Sequence, residues 1–310
     1  MNTHASALPV PSVPGQPAAP APISAARRLY WSVRRELWEH SSIYIAPLIT
    51  AAVLLCGFAI NSIGLPRRRR AVLLLDPLQQ RIHIGGAYDV AIGMLMLTAL
   101  LVWLFYCLDA LYGERRDRSI LFWKSLPVSD LTTVLSKAII PILLLPLLTF
   151  AITFVLQLIM LLISTAVLLG SGQSAAPLWS HVPFFRMSLM LLYHLVAVHG
   201  LWYAPIFGWL LLVSAWARRA VFLWAALPLF AIGMLEKIVI HASNFGAMLV
   251  SRMSGGSEGA TSASGRMTMD RLTPFTLGQF LSSPGLWLGL VFAAICLVAA
   301  VRLRRVREPI

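Results

Sequence analysis

Along this chain, long uncharged apolar runs alternate with short charged or turn-forming stretches. A helix that crosses a bilayer needs about 20 mostly apolar residues. Six windows meet that length, at residues 41–65, 90–108, 138–169, 187–217, 220–241 and 285–301. The first carries no charge, the second lies between Asp89 and Asp109, and the third ends in the turn-forming run 170–174. The fourth is longer than a span requires, which predicts tilt or a kink at Pro205. Glu236 and Lys237 stand near the far end of the fifth, within reach of headgroups. Arg302, Arg304, Arg305 and Arg307 close the sixth. The pattern predicts an all-α integral membrane protein whose residues 41–310 form six transmembrane helices.

Ahead of the first span, Ala26, Leu29, Tyr30, Val33 and Leu37 recur at helical spacing. Arg27, Arg28, Arg34, Arg35, Glu36 and Glu39 surround that face, and Trp31 and Trp38 lie on the far side. Residues 24–40 therefore read as an amphipathic interfacial helix. Residues 1–23 are rich in Ala and Pro and read as a disordered tail. They lack the basic start and continuous apolar core of a signal peptide. Residues 244–284 read as a flexible outer loop, of low complexity at 254–265, with a short interfacial helix at 273–281.

Composition agrees with the spans. Of 310 residues, 58% are hydrophobic and 12% charged, with mean hydropathy +0.78. Soluble domains run near half apolar and a quarter charged. A net charge of +13 would suit nucleic acid, but the arginines sit at the ends of apolar runs, and no basic face with interleaved aromatics occurs. Nucleic acid is not an expected partner; the lipid bilayer is. An even number of spans puts both termini on one side. More of the basic residues fall on that shared side, which modestly favours N-in, C-in. The basic loop Arg67, Arg68, Arg69, Arg70 then faces outward. Cys56, Cys107 and Cys296 each lie in an apolar run and read as buried packing residues.

The polar residues inside the spans give weak signals. His194 and His199 are five apart, a spacing that does not share an α-helical face well, and no HExxH motif accompanies them. They read as interhelical hydrogen-bond partners, as do Asn61, Gln157 and Ser164. Asp109 reads as a helix-end charge. No acid stands in mid-span, where a proton or sodium pathway would need one.

The segment 109–137 is different, being charged and framed closely by two spans. Glu114, Arg115, Arg116, Asp117 and Arg118 are dense in both signs. Ile120, Leu121, Phe122 and Trp123 follow, and are costly to leave in water unless they meet membrane or partner. Pro127 disfavours helical geometry at Leu126, and Ser129 is a good N-cap for the helix that leads into the third span. Residues 112–137 thus predict a helix, a sharp turn and a second helix.

In this segment the chain resembles the permease subunits of ABC-2 type ATP-binding cassette transporters. The resemblance is carried by the charges at 114–118, the Ser-Leu-Pro-Val-Ser turn at 125–129 and Lys137. The six spans, the helix before them and the arginines after them agree with it. It implies that the loop 112–137 lies on the cytoplasmic face and seats in a groove of a separate ATPase subunit. Glu114, Arg115, Arg116, Asp117 and Arg118 would supply charge pairing there, Ile120, Leu121, Phe122 and Trp123 apolar contact, and Pro127 the turn. It further implies a second permease copy, identical or a paralogue, and a bacterial inner membrane. No GxxxxGK[ST] motif occurs, so no cofactor is expected on this chain, and ATP and Mg belong to the partner. The chain is then not itself an enzyme. Alternatives are a membrane subunit that transmits ATPase motion without transport, a membrane-embedded enzyme using His194 or His199, and a secondary transporter. The cargo is not legible.

Overall fold

The structure, a computed structural model, describes residues 24–72, 76–125, 128–182, 184–239, 241, 243–253 and 277–306. The expectations for residues 1–23 and 254–265, and for Leu126 and Pro127, lie outside the described residues. Every regular element among those described is helical. Among the described residues, six helical stretches are long and apolar enough to cross a membrane, the number expected.

Helix α1 (Ala25–Glu39) begins at Ser24, whose hydroxyl accepts the Arg27 N–H at 3.3 Å. It is followed almost at once by α2 (Ser42–Ser62). The basic run at 67–70, expected as a loop, instead belongs to a short helix, α3 (Leu65–Val72). There Arg68 donates to the side-chain oxygen of Asn61. Asn61 therefore ties α2 to the element after it rather than joining two spans. Helix α4 (Pro77–Asp109) is much longer than its apolar window, because Pro77 starts it well before the charge-free part.

After α5 (Tyr112–Arg116) and α6 (Ser119–Ser125), the third span starts as α7 (Asp130–Ile139), with Ser129 accepting the Thr132 N–H at 3.2 Å. It passes through a π-helical segment (Ile140–Leu144) into α8 (Leu145–Gly170). Pro141 and Pro146 lack N–H groups, so the carbonyls four residues earlier lose their usual donors. The ladder widens here, and the Leu145 N–H bonds to Ile140 O.

The fourth span is divided. It runs from α10 (Phe184–His194) through a second π-helical segment (Leu195–Trp202), turns at Tyr203, and resumes as α11 (Ala204–Trp216). The break expected at Pro205 falls two residues earlier, since a proline in the first turn of a helix forfeits no hydrogen bond. The π segment also corrects the reading of the histidines. Its i→i+5 ladder brings residues five apart onto one side, and the His194 and His199 rings pack edge to face at 5.5 Å.

Helix α9 (Ala176–His181) precedes the fourth span, and α12 (Val221–Val239) is the fifth. Part of the expected outer loop is helical: α13 (Asn244–Met253) is capped by Glu236, whose two oxygens accept the N–H groups of Asn244 and Phe245 at 3.0 and 2.8 Å. Glu236 thus serves a helix N-terminus, where a negative charge is favourable. Helix α14 (Leu277–Ser282) lies in the later part of the short helix expected at 273–281, and α15 (Pro284–Val306) is the sixth span.

The two largest of four apolar clusters among the described residues hold most of the bundle. One gathers Trp103, Tyr106, Leu145, Phe207 and Leu211, with Trp103 and Phe207 edge to face at 4.8 Å. The other gathers Tyr88, Leu95, Met160 and Leu191. Ser164 joins α8 to α4 as expected, 3.4 Å from the Tyr88 hydroxyl. Gln157 is buried but finds no hydrogen-bond partner among the described residues. Cys107 and Cys296 are buried, whereas Cys56 is exposed on α2.

Candidate functional site

The charged segment between the second and third spans folds into two layers, one buried and one exposed. Its inner layer is built from four elements. Glu36 comes from α1, Glu114 from α5, Lys137 and Asp130 from α7, and Arg304 from α15. Lys137 and Glu36 are both 0% exposed, and the Lys137 ammonium donates to both Glu36 oxygens at 2.9 Å. The same ammonium stands 3.1 Å from a Glu114 oxygen. The other Glu114 oxygen accepts from Arg304, whose Nε donates to Asp130 at 3.1 Å. Arg35 completes the set, 2.6 Å from Glu36 and 3.5 Å from Glu114. The Tyr106 hydroxyl of α4 donates to Glu36 at 3.3 Å.

Glu36, Glu114 and Asp130 therefore face Arg35, Lys137 and Arg304, so the cluster is charge-balanced. An isolated buried charge would be prohibitively costly; here each has an opposite neighbour. Burial alone would raise the Glu36 carboxyl, but the charge and hydrogen bonds of Lys137 and Arg35 overcome that and hold it below its ordinary value. Glu36, Glu39 and His40 bring ligand-type atoms within 4.8 Å of one another. Glu36 gives both oxygens to Lys137, and Arg35 lies against both carboxylates. That spot suits ion pairing rather than a metal.

Arg115 and Ser214 join α5 to the end of α11. Arg115 donates to the carbonyls of Ala215 and Ala217, where a helix C-terminus leaves acceptors unpaired. In return, the Ser214 hydroxyl accepts the N–H groups of Leu111 and Tyr112 at 3.0 and 2.9 Å. The two helix ends satisfy each other.

The outer layer is α6. Arg118 adopts φ 58°, a left-handed conformation costly for a residue with a Cβ, and this breaks α5 from α6. Ile120 then turns inward at 1% exposed, while Leu121 and Phe122 turn outward at 58% and 61%. Trp123 is half-buried, with the Arg35 guanidinium 3.9 Å above its ring.

The ten residues singled out in the sequence thus separate. Arg116, Asp117, Arg118, Leu121 and Phe122 are exposed, and Trp123 is partly so. Glu114, Arg115 and Ile120 were expected to offer charge and apolar contact at an outer surface. The structure turns them inward, because their partners are Lys137, Arg304 and the end of α11. Pro127 lies outside the described residues. Asp109 is half-exposed at its helix end, 3.9 Å from Arg116. Glu36, Asp130 and Arg304 were not expected as members of the site. The only sequence signal for Glu36 was an acid in the last turn of a basic helix, next to residues that pack inward. Comparison with protein-family models, with curated proteins and with solved structures finds no match.

Proposed function

We propose that this chain is the membrane subunit of an ABC-2 type transporter, driven by a separate ATP-binding cassette ATPase. The observation that carries the reading is α6. It presents Leu121 and Phe122 to the outside, flanked by Arg116, Asp117 and Arg118, directly above a charge cluster that joins α1, α5, α7 and α15. An apolar pair with a charged rim is the composition of a protein-docking patch. The cluster beneath ties α1 and α5 to the third and sixth spans, so a push on α6 would reach both spans together. The chain has no phosphate-binding motif of its own, so hydrolysis would occur in the partner.

On this reading α6 lies on the cytoplasmic face of a bacterial inner membrane, and both termini share that side. Helix α1 lies along the membrane surface. A second copy or paralogue completes the translocation path, and the substrate is exported.

The test uses the paired substitution Leu121→Ala and Phe122→Ala. These side chains are exposed, so the fold is expected to survive. Co-purification with the neighbouring ATPase should weaken roughly thirtyfold, the loss of about 2 kcal/mol typical of anchor residues. Substrate-independent stimulation of ATP hydrolysis should fall with it. Unchanged association and hydrolysis would overturn the proposal. The thiol introduced by Phe122→Cys should react with an impermeant thiol reagent only in inside-out vesicles. Labelling from the exterior is equally fatal.

A further inference from the structure

Helix α1 has two faces, and the protein occupies only one. Leu29, Ser32, Val33, Glu36 and Leu37 turn toward the bundle. Opposite them, Arg27, Trp31, Arg34 and Trp38 follow at i, i+4, i+7 and i+11, which makes one stripe along the helix. The Arg34 guanidinium lies between two indoles, 5.1 Å from the Trp31 ring and 4.9 Å from the Trp38 ring. Trp31 is nevertheless 49% exposed and Trp38 71%. Such large aromatic surface is costly in water.

The neighbouring Arg35 supplies the contrast. It meets three carboxylates, those of Glu36, Glu39 and Glu114. Arg34 meets none among the described residues, and neither does Arg27 or Arg28. Residues 24–35 include four arginines and no acid. The stripe is therefore a cationic surface that no carboxylate among the described residues neutralises.

The geometry narrows what the missing anion is. A guanidinium donates in its own plane. Indoles at 5.1 and 4.9 Å displace part of its water and help hold it in place, and no carboxylate among the described residues takes its N–H groups. A planar fork of this kind matches the paired oxygens of a phosphate ester. Indole rings favour the headgroup level of a bilayer. Only His40 and Ser41 separate α1 from the span α2, so the stripe cannot stray far from the membrane boundary. Phosphate, indole and boundary together describe a lipid headgroup.

We propose that the Trp31–Arg34–Trp38 stack is a docking site for the phosphate of anionic phospholipids. Helix α1 is then braced between lipid on one face and the Glu36–Lys137 pair on the other. This inference rests on the interfacial position proposed for α1 but needs no ATPase, so the two can fail separately.

The experiment equilibrates the purified full-length chain with equal amounts of phosphatidylglycerol and phosphatidylcholine, and counts retained lipids by native mass spectrometry. The wild-type chain should keep phosphatidylglycerol in preference. Arg34→Ala should cut that preference about fivefold, the worth of one basic residue near an anionic surface. Arg34→Lys keeps the charge but not the stacked fork, and should recover only part of it. The pair Trp31→Leu and Trp38→Leu should also lower the preference with every charge in place. Circular dichroism confirms that each variant is folded. Full preference in Arg34→Ala overturns the proposal. So does full recovery in Arg34→Lys with no effect of the tryptophan pair, which is plain attraction of charges. If Arg34→Ala leaves lipid selection intact and releases the ATPase instead, the stripe is a protein interface and the proposal fails. Loss of ATPase in the α6 variants with lipid selection intact leaves it standing.

Discussion

Lys137 is a full-length cation with no exposed surface, and Glu36 is an anion buried just as completely. Removing one member of such a pair strands the other, which costs about 3–5 kcal/mol, whereas replacing both with apolar groups is often close to neutral. Lys137→Met should therefore lower thermal stability sharply, and Lys137→Met with Glu36→Leu should recover much of the loss. A double-mutant cycle of melting curves in detergent measures this. The glycines make a second residue-scale contrast. A Cβ on Gly200 would stand 2.7 Å from the Ile142 carbonyl oxygen, where the two π segments meet, and backbone cannot retreat as a flexible side chain can. Gly200→Ala should cost about 1–3 kcal/mol. Gly57 and Gly93 lie in helices with open space around them, so alanine at either should stabilise by about 0.5–1 kcal/mol. Equal effects at all three positions would refute the close approach.

At the scale of elements, what matters is how helix ends are finished. Ser214 takes two backbone N–H groups at the start of α5, and Arg115 takes two carbonyls at the end of α11. Ser214→Ala leaves two buried donors unpaired and should cost about 1–3 kcal/mol for each group stranded. Hydrogen exchange should rise first at Leu111 and Tyr112 if the junction is local. The N-cap at Ser129 was legible, because a hydroxyl residue after Pro127 and ahead of a periodic apolar run has few other roles. The α5–α11 junction was not, because its two halves are about a hundred residues apart. The same separation hid the split of α6 into Ile120 inward and Leu121, Phe122 outward: four apolar residues in a row carry no period.

At the scale of the molecule, the charge cluster holds the first helix, the last helix and the segment between the second and third spans at one end of the bundle. Its pH response follows from Glu36, which is held below its ordinary value near 4.5. A carboxylate lowered in the folded state contributes its full stability above its unfolded value, and loses it as pH falls through the folded one. Glu39, raised mainly by half-burial, acts in the opposite sense. Melting temperature should thus drop below about pH 4.5 in the wild-type chain. Glu36→Gln should start lower and show a shallower drop, since its carboxamide does not titrate.

The six spans, the helix ahead of them and the position of the charged segment were all determined by sequence alone. Lipid-length apolar runs and the charges that end them are local properties, readable one window at a time. Cap residues belong to the same class. The tertiary structure alone decided that Glu114, Arg115 and Ile120 face inward, that Glu36 and Arg304 join them, and that Trp31 and Trp38 remain uncovered. An ion pair is a relation between distant positions, and a charged residue looks the same in sequence whether its partner is water or a lysine a hundred residues away. Helical periodicity tells which residues share a face; only the packed bundle tells what that face meets.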